Sequence, residues 1–274
     1  MESRSRSRRA ARLASRNLPA QQILLFVSML CAAGDAALGQ TPAPLTPFIA
    51  RYNVEWRGVS VGSSTVELAA VADGQYRYRS VNHARGLFRL AFPDAIREES
   101  LLQVIGGDQV RPLRFRGDDG GSEGADGDID LQFDWQRNRV TGRFESTPID
   151  LNVPAGTQDA LSAQLALMLD LAAGRTPSGY WLVDKGQLKD YEYRREPDAT
   201  LDTVLGPLPT VVWTSRRPSS ERVTRIWYAP AFGYVPVKAE RWRKNRLEFA
   251  LRLARLERPT GTPVTYARGN VTPR

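Results

Sequence analysis

From residue 50 onward apolar and polar side chains alternate with a period of two, as strands with one buried face require. Ala50, Tyr52, Val54 and Trp56 share one face, and Arg51, Asn53, Glu55 and Arg57 the other. Val66 and Leu68 continue the pattern on a second strand, and Asp73-Gly74 predicts a hairpin turn into residues 75–81, where Tyr76 and Tyr78 share a face. Residues 98–105 and 109–116 flank Gly106-Gly107-Asp108, a second hairpin. The Gly- and Asp-rich run 118–128 reads as an exposed loop. Ile129, Leu131, Phe133 and Trp135 alternate beyond it, and residues 140–145 return across a polar turn. Further strands are predicted at 180–184, 188–194, 210–215, 224–228, 234–241 and 247–256.

One segment breaks the period. Leu161, Leu165, Met168 and Ala172 recur at helical spacing and predict a helix over about 157–173. Thr157 stands where an N-cap belongs, Asp159 suits the positive end of the helix dipole, and Gly174 follows the last turn. The expected architecture is mainly β: one curved antiparallel sheet or an open or closed barrel of about a dozen strands. Closing or curling the sheet removes sticky edges, and the single substantial helix would serve as lid or plug.

The first residues form a different pattern. Arg4, Arg6, Arg8, Arg9, Arg12 and Arg16 precede an apolar run, Ile23 to Ala33, and then Ala37-Leu38-Gly39. This is the layout of an export signal with a cut after Gly39, and the run is too short for a spanning helix, which needs about 20 apolar residues. The bulky Leu30 before Cys31 argues against lipidation. Ser7-Arg8-Arg9 resembles the start of a twin-arginine signal, but Ala10-Ala11 follows where a bulky residue is wanted, which favours general secretion.

Cleavage places the working protein in the periplasm and reshapes its chemistry. The leader's six Arg against Glu2 and Asp35 account for half of the net charge, which falls from +8 to +4. Its removal also takes away Cys31, the one cysteine, so no disulfide braces the fold and burial must hold it. Residues 40–47 are a Pro-rich tether, residues 48–256 a single β domain, and residues 257–274 a tail with little apolar content. No cofactor motif is present and no nucleic-acid role is indicated; the expected partners are a lipid, a glycan or an envelope protein.

Several motifs invite a chemical reading. Gly58-Val59-Ser60-Val61-Gly62 spells G-x-S-x-G with Asp73 and His83 downstream, yet strand residues follow where a hydrolase elbow needs a helix. A hairpin using two glycines is the simpler account. His83 is the single histidine, which excludes sites built on several His or Cys. Asp126-Gly127-Asp128-Ile129-Asp130 begins like a calcium loop, but Leu131 and Arg137 occupy its glycine and glutamate positions. Arg241, Arg243, Lys244 and Arg246 surround Trp242 at a predicted hairpin tip, a basic surface for anionic partners. All six tryptophans lie beyond the leader, five of them on predicted strands that enclose either a packed core or an apolar cavity.

Gly58 to Gly62, Gly86-Leu87-Phe88, Thr157-Gln158-Asp159-Ala160-Leu161-Ser162, Arg225-Ile226-Trp227-Tyr228-Ala229 and Val235-Pro236-Val237-Lys238 form an ordered series. Together they resemble the bacterial family catalogued as domain of unknown function 3108, over about residues 48–256. The resemblance implies an exported antiparallel β protein and supplies no catalytic residue. Its motif positions make Gln158, Asp159, Trp227 and Lys238 the candidate ligand-binding residues, with Asp159 and Lys238 able to form an ion pair. The leading expectation is a non-enzymatic carrier of an apolar or amphipathic ligand. The alternatives are a cell-wall or polysaccharide hydrolase using Glu98, Glu99, Asp134 or Asp159, and a structural partner in an envelope complex.

Overall fold

The computed structural model describes residues 45–90, 93–118 and 128–259. The residues read as an export signal, most of those read as a tether, most of the Gly- and Asp-rich run and the residues from 260 on lie outside them. The described residues form one antiparallel sheet of fourteen strands. In chain order these are β1 (Phe48–Trp56), β2 (Val59–Ala72), β3 (Gln75–Ala84), β4 (Ile96–Ile105), β5 (Gln109–Asp118), β6 (Ile129–Asp134) and β7 (Arg139–Phe144). There follow β8 (Thr147–Asn152), β9 (Gly179–Asp184), β10 (Gln187–Thr203), β11 (Gly206–Arg216), β12 (Arg222–Ala229), β13 (Val235–Arg243) and β14 (Arg246–Glu257). The helix α1 (Ser162–Ala172) sits between β8 and β9.

The spatial order runs from β8 down to β1, then β14 down to β9. Strands consecutive in sequence thus pair throughout, except β8 and β9, and near the centre β1 also pairs with β14. The chain is a meander bent into a ring and left open at one place. The two free edges, β8 and β9, are consecutive in sequence, and α1 lies in the segment that joins them. Register shifts at Arg51/Tyr52, Val54/Glu55, Leu101/Leu102 and Trp227/Tyr228 add local bends to the ordinary twist and help the sheet curl.

The alternation read from the sequence places the core as expected. Phe48, Ala50 and Tyr52 of β1, Leu68 of β2, Tyr78 of β3 and Leu102 of β4 are all buried. Leu45, at the end of the Pro-rich stretch, is buried with them. Tight turns set the register. Arg57-Gly58, Lys185-Gly186 and Lys244-Asn245 each have both residues at positive φ, the two-residue geometry that suits right-twisted hairpins.

The helix differs from expectation in three ways. It begins at Ser162 rather than 157 and ends at Ala172. Thr157 is not its cap: the Thr157 hydroxyl donates to the Pro154 carbonyl at 2.8 Å. Ala172 is exposed, whereas Ala163, Leu165, Ala166, Leu167, Met168, Leu169 and Leu171 are buried all around the helix. A helix without a polar face belongs inside a protein, so α1 is a plug within the curved sheet. Its Gln164 amide reaches across to donate to the Tyr78 hydroxyl at 2.7 Å. β8 has no counterpart among the predicted strands, and β10 continues past Arg194 to Thr203.

Gly142 shows how closely the strands approach. It has φ +148°, and a Cβ there would stand 1.9 Å from the Asp130 carbonyl oxygen of the paired strand. Gly142→Ala should therefore force β7 away from β6 and cost more than about 2 kcal/mol by urea denaturation, because neither backbone can yield without breaking the ladder.

Candidate functional site

The segment that crosses between the sheet edges carries Gln158 and Asp159. The Gln158 backbone N–H donates to Trp181 O at 2.8 Å and its carbonyl accepts from Val183 N at 2.9 Å, a parallel bridge onto β9. Its side-chain Nε2 donates to Val110 O at 3.0 Å on β5 and to Gly156 O at 2.9 Å. One residue therefore ties the β9 edge to β5, on the far side of the seam. At the β9–β10 turn, a Cβ on Gly186 would meet the Ile149 side chain at 2.4 Å, so this turn packs directly on β8.

Asp159 is wholly buried. Its Oδ2 accepts from the Ser100 hydroxyl of β4 at 2.6 Å, and its Oδ1 accepts from the backbone N–H groups of Leu161 at 2.8 Å and Ser162 at 2.7 Å. Its own N–H donates to Ser162 Oγ at 2.8 Å. This reciprocal arrangement has the bonding pattern of a capping box and lies just ahead of α1, whose N-cap position, Leu161, makes no side-chain cap bond. Burial raises its carboxyl to about 6, against the opposing pull of hydrogen bonds from Ser100, Ser162 and Leu161. Asp159 thus joins the start of α1 to the wall of the sheet, and both of its oxygens are occupied.

Trp227 and Lys238 lie together elsewhere, as a cross-strand pair of β12 and β13. The Lys238 ammonium stands 4.2 Å from the Trp227 ring centroid and 2.6 Å from Glu240 Oε1, and the Trp242 indole donates to Glu240 Oε2 at 2.9 Å. The expected Asp159–Lys238 ion pair is not formed, because each side chain is satisfied locally. The four candidate residues divide into a seam pair and a pair on β12 and β13.

The basic tip also divides. Arg243 and Lys244 approach Glu221 at 3.9 and 3.2 Å. Arg241, one register step back from the tip, stands 6.0 Å from the Phe249 ring centroid. Arg246 lies opposite Arg243 in register, at the start of β14.

The catalytic readings find little to build on. Ser60 opens strand β2 opposite Glu55, and His83 lies opposite Ser63 on β3, with Gly62 against the His83 carbonyl. No elbow forms. Asp126 and Gly127 of the calcium-like run lie outside the described residues; Asp130 is held by Arg114 at 2.7 and 3.0 Å and by Arg116 at 3.4 Å. Among the described residues no cluster of three His, Cys, Asp or Glu could hold a metal ion. Of the four acids named for hydrolysis, Asp159 is sealed in the core and Asp134 caps an exposed turn at Gln136 and Arg137. Glu98 and Glu99 point to opposite faces of β4. Burial raises the Glu98 carboxyl, Asp159 adding to the effect and Arg241 opposing it.

A feature unforeseen from the sequence is an apolar cavity of about 370 Å³ beside the β1–β2 turn. Val54, Trp56, Val61, Phe88, Ile96 and Phe249 supply its apolar wall, with Asn82, His83 and Asp94 beside them. Trp56 and Phe88 meet edge to face, with centroids 5.7 Å apart. The cavity exists because β1 pairs with β14, which sets Phe249 opposite Trp56. Two cations stand over its rings: Arg57 at 4.7 Å from the Trp56 centroid and Arg241 at 6.0 Å from that of Phe249. Among the described residues neither arginine forms an ion pair.

Comparison with known proteins places this architecture. Residues 51–244 match the family described as "Protein of unknown function (DUF3108)". The chain belongs to that family. Among solved structures it is similar to a β-barrel-like protein of domain of unknown function DUF1849 from Brucella abortus, with TM-score 0.50 and 10% identity over 79% of this chain and 99% of that one. It is also matched to the MucA/MucB complex of Pseudomonas aeruginosa, with TM-score 0.36 and 14% identity over 81% of this chain and 53% of that one. A protein with a YmcC-like fold from Bacteroides fragilis matches with TM-score 0.36 and 11% identity over 79% of this chain and 98% of that one. No curated protein matches the sequence. In this DUF3108 domain no helix among the described residues is long and apolar enough to cross a membrane.

The Asp159 geometry sets a pH dependence. The folded carboxyl sits near 6 against 3.8 for the free group, so between those values the unfolded chain releases its proton first. Stability from this residue is full below about pH 4 and declines by up to about 3 kcal/mol as the pH rises through 6. Asp159→Asn should remove that decline, seen as a smaller difference in urea midpoint between pH 4.5 and 7. Asp159→Ala should cost about 2–4 kcal/mol at either pH, since it strands two N–H groups and the Ser100 hydroxyl.

Proposed function

We propose that this DUF3108 protein is an exported, non-enzymatic binding protein that holds the apolar part of an amphipathic ligand in the cavity beside Trp56. The observation that carries this reading is the cavity itself. At about 370 Å³ it falls within the range of small-molecule sites, and it is walled by Trp56, Phe88, Phe249, Ile96, Val54 and Val61. Apolar surface left open to water on this scale is stabilised by covering it. A lipid tail does so without needing polar partners from the wall.

Arg57 and Arg241 favour an anionic head group. Both lie over aromatic rings of the cavity, and among the described residues neither forms an ion pair, although the Arg241 charge also acts on the Glu98 carboxyl. Asp94, at the exposed margin, would repel an anion that seated on its side, and so favours a head placed toward the arginines. The basic leader, the short apolar run and the small residues before Gly39 support delivery of the chain to the periplasm, where such ligands pass between membranes.

Displacement of the apolar fluorescent probe 1-N-phenylnaphthylamine tests this. Laurate should displace the probe, and dodecyltrimethylammonium should do so less well. Trp56→Ala should weaken laurate binding about tenfold through lost contact area, and Arg241→Glu about tenfold through reversed charge. Absence of probe binding, or binding indifferent to both substitutions, would count against the site.

A further inference from the structure

On the seam side of the sheet a second and larger concavity, about 990 Å³, opens between the β4–β5 turn, the segment before α1, the end of α1 and the first residues of β9. Its chemistry is the reverse of the apolar cavity. Asp108, Asp170, Asp190 and Glu192 line it against the single cation Arg175. Arg175 is already engaged, at 2.8 Å from Asp108 Oδ2 and 2.7 Å from Asp170 Oδ1. Glu192 is met by Arg216 at 2.9 Å, but Asp190 has no ion pair among the described residues.

Two observations independent of this charge point to a bound partner. Gln158, only 3% exposed, lines the groove, and its Oε1 has no hydrogen-bond donor although the Nε2 of the same amide is doubly bonded. A buried amide oxygen left unpaired costs roughly 1–3 kcal/mol unless a donor reaches it. Beside it Trp181 is 42% exposed and lies directly across the ladder from Asp190, so that an aromatic face and a carboxylate stand side by side. The next pair on the same face is Gly179 opposite Glu192, where the strands approach so closely that a Cβ on Gly179 would stand 2.6 Å from the Tyr191 carbonyl oxygen.

We propose that this groove is a docking site for an extended, cationic segment of a partner protein. A Lys or Arg side chain would lie over the Trp181 ring against Asp190, and a donor from the same segment would satisfy Gln158 Oε1. The backbone favours an extended partner. β9 is a sheet edge, paired along one side by β10 and on the other by the single bridge at Gln158, so its start at Gly179 is open to strand addition. A groove of this volume exceeds one side chain and suits several residues of chain. The site is separate from the apolar cavity and does not depend on what that cavity holds.

The test is calorimetric titration of the protein with an alternating Lys-Val octapeptide and with its Glu-Val twin, at low and high ionic strength. The Lys-Val peptide should bind, weaken with salt and shift the tryptophan emission, while the Glu-Val peptide should not bind. Asp190→Lys and Trp181→Ala should each weaken binding about tenfold, with unchanged far-UV circular dichroism and unchanged 1-N-phenylnaphthylamine binding. Should Trp181→Ala unfold the protein, Asp190→Lys alone decides. Equal binding of the two peptides, binding indifferent to Asp190→Lys, or no peptide binding while neutral oligosaccharides quench Trp181, would each overturn the proposal.

Discussion

The structure depends on how a fourteen-stranded sheet disposes of its two free edges. Unpaired strand edges invite association, and a sheet this long must either close or cover them. Here the ring is complete except between β8 and β9, and the chain connecting those strands covers the gap. Gln158 joins β9 to β5 through backbone and side chain, and Asp159 fastens the start of α1 to Ser100 of β4. The helix then enters the enclosed space, where its apolar residues meet the inward faces of the strands. One short polar segment sets both the closure of the sheet and the position of the plug.

Much of the sheet was legible because the physics of a half-buried strand is local. Ala50, Tyr52, Val54 and Trp56 declare a face without reference to any distant residue. β8 was not legible, since Thr147-Pro148-Ile149-Asp150-Leu151-Asn152 offers two apolar residues and a proline, which suits an edge strand and resembles a loop. The end of β10 reads as polar on both faces, with Pro197 within it. The helix was visible by its spacing, but its start was not: Thr157 stands where a cap belongs in sequence, whereas the structure spends its hydroxyl on Pro154 and fixes Asp159, ahead of the helix, to Ser100 of β4.

The candidate sites were less legible for a different reason. Trp56 and Phe249 are separated by most of the chain and meet only because β1 and β14 pair. No local pattern announces such a contact. Arg241 was grouped with its neighbours at a basic tip, yet it lies across the ladder from Phe249, with a register shift between it and Trp242, while Arg243 and Lys244 approach Glu221. The motif residues Gln158 and Asp159, read as ligand-binding, have their hydrogen bonds committed to the seam, Gln158 Oε1 excepted. The molecule thus separates its tasks: polar motif residues hold the scaffold, an apolar end offers a cavity, and an acidic groove flanks the seam.

Native-state hydrogen exchange at single-residue resolution tests the seam directly. If residues 158–159 hold the sheet closed, the amides of β9 and α1 should open together at lower free energy than those of β1 and β14, and Asp159→Ala should lower that opening energy while sparing the sheet centre. Protection in β9 and α1 equal to that of β1 and β14, and unmoved by Asp159→Ala except through global stability, would contradict it.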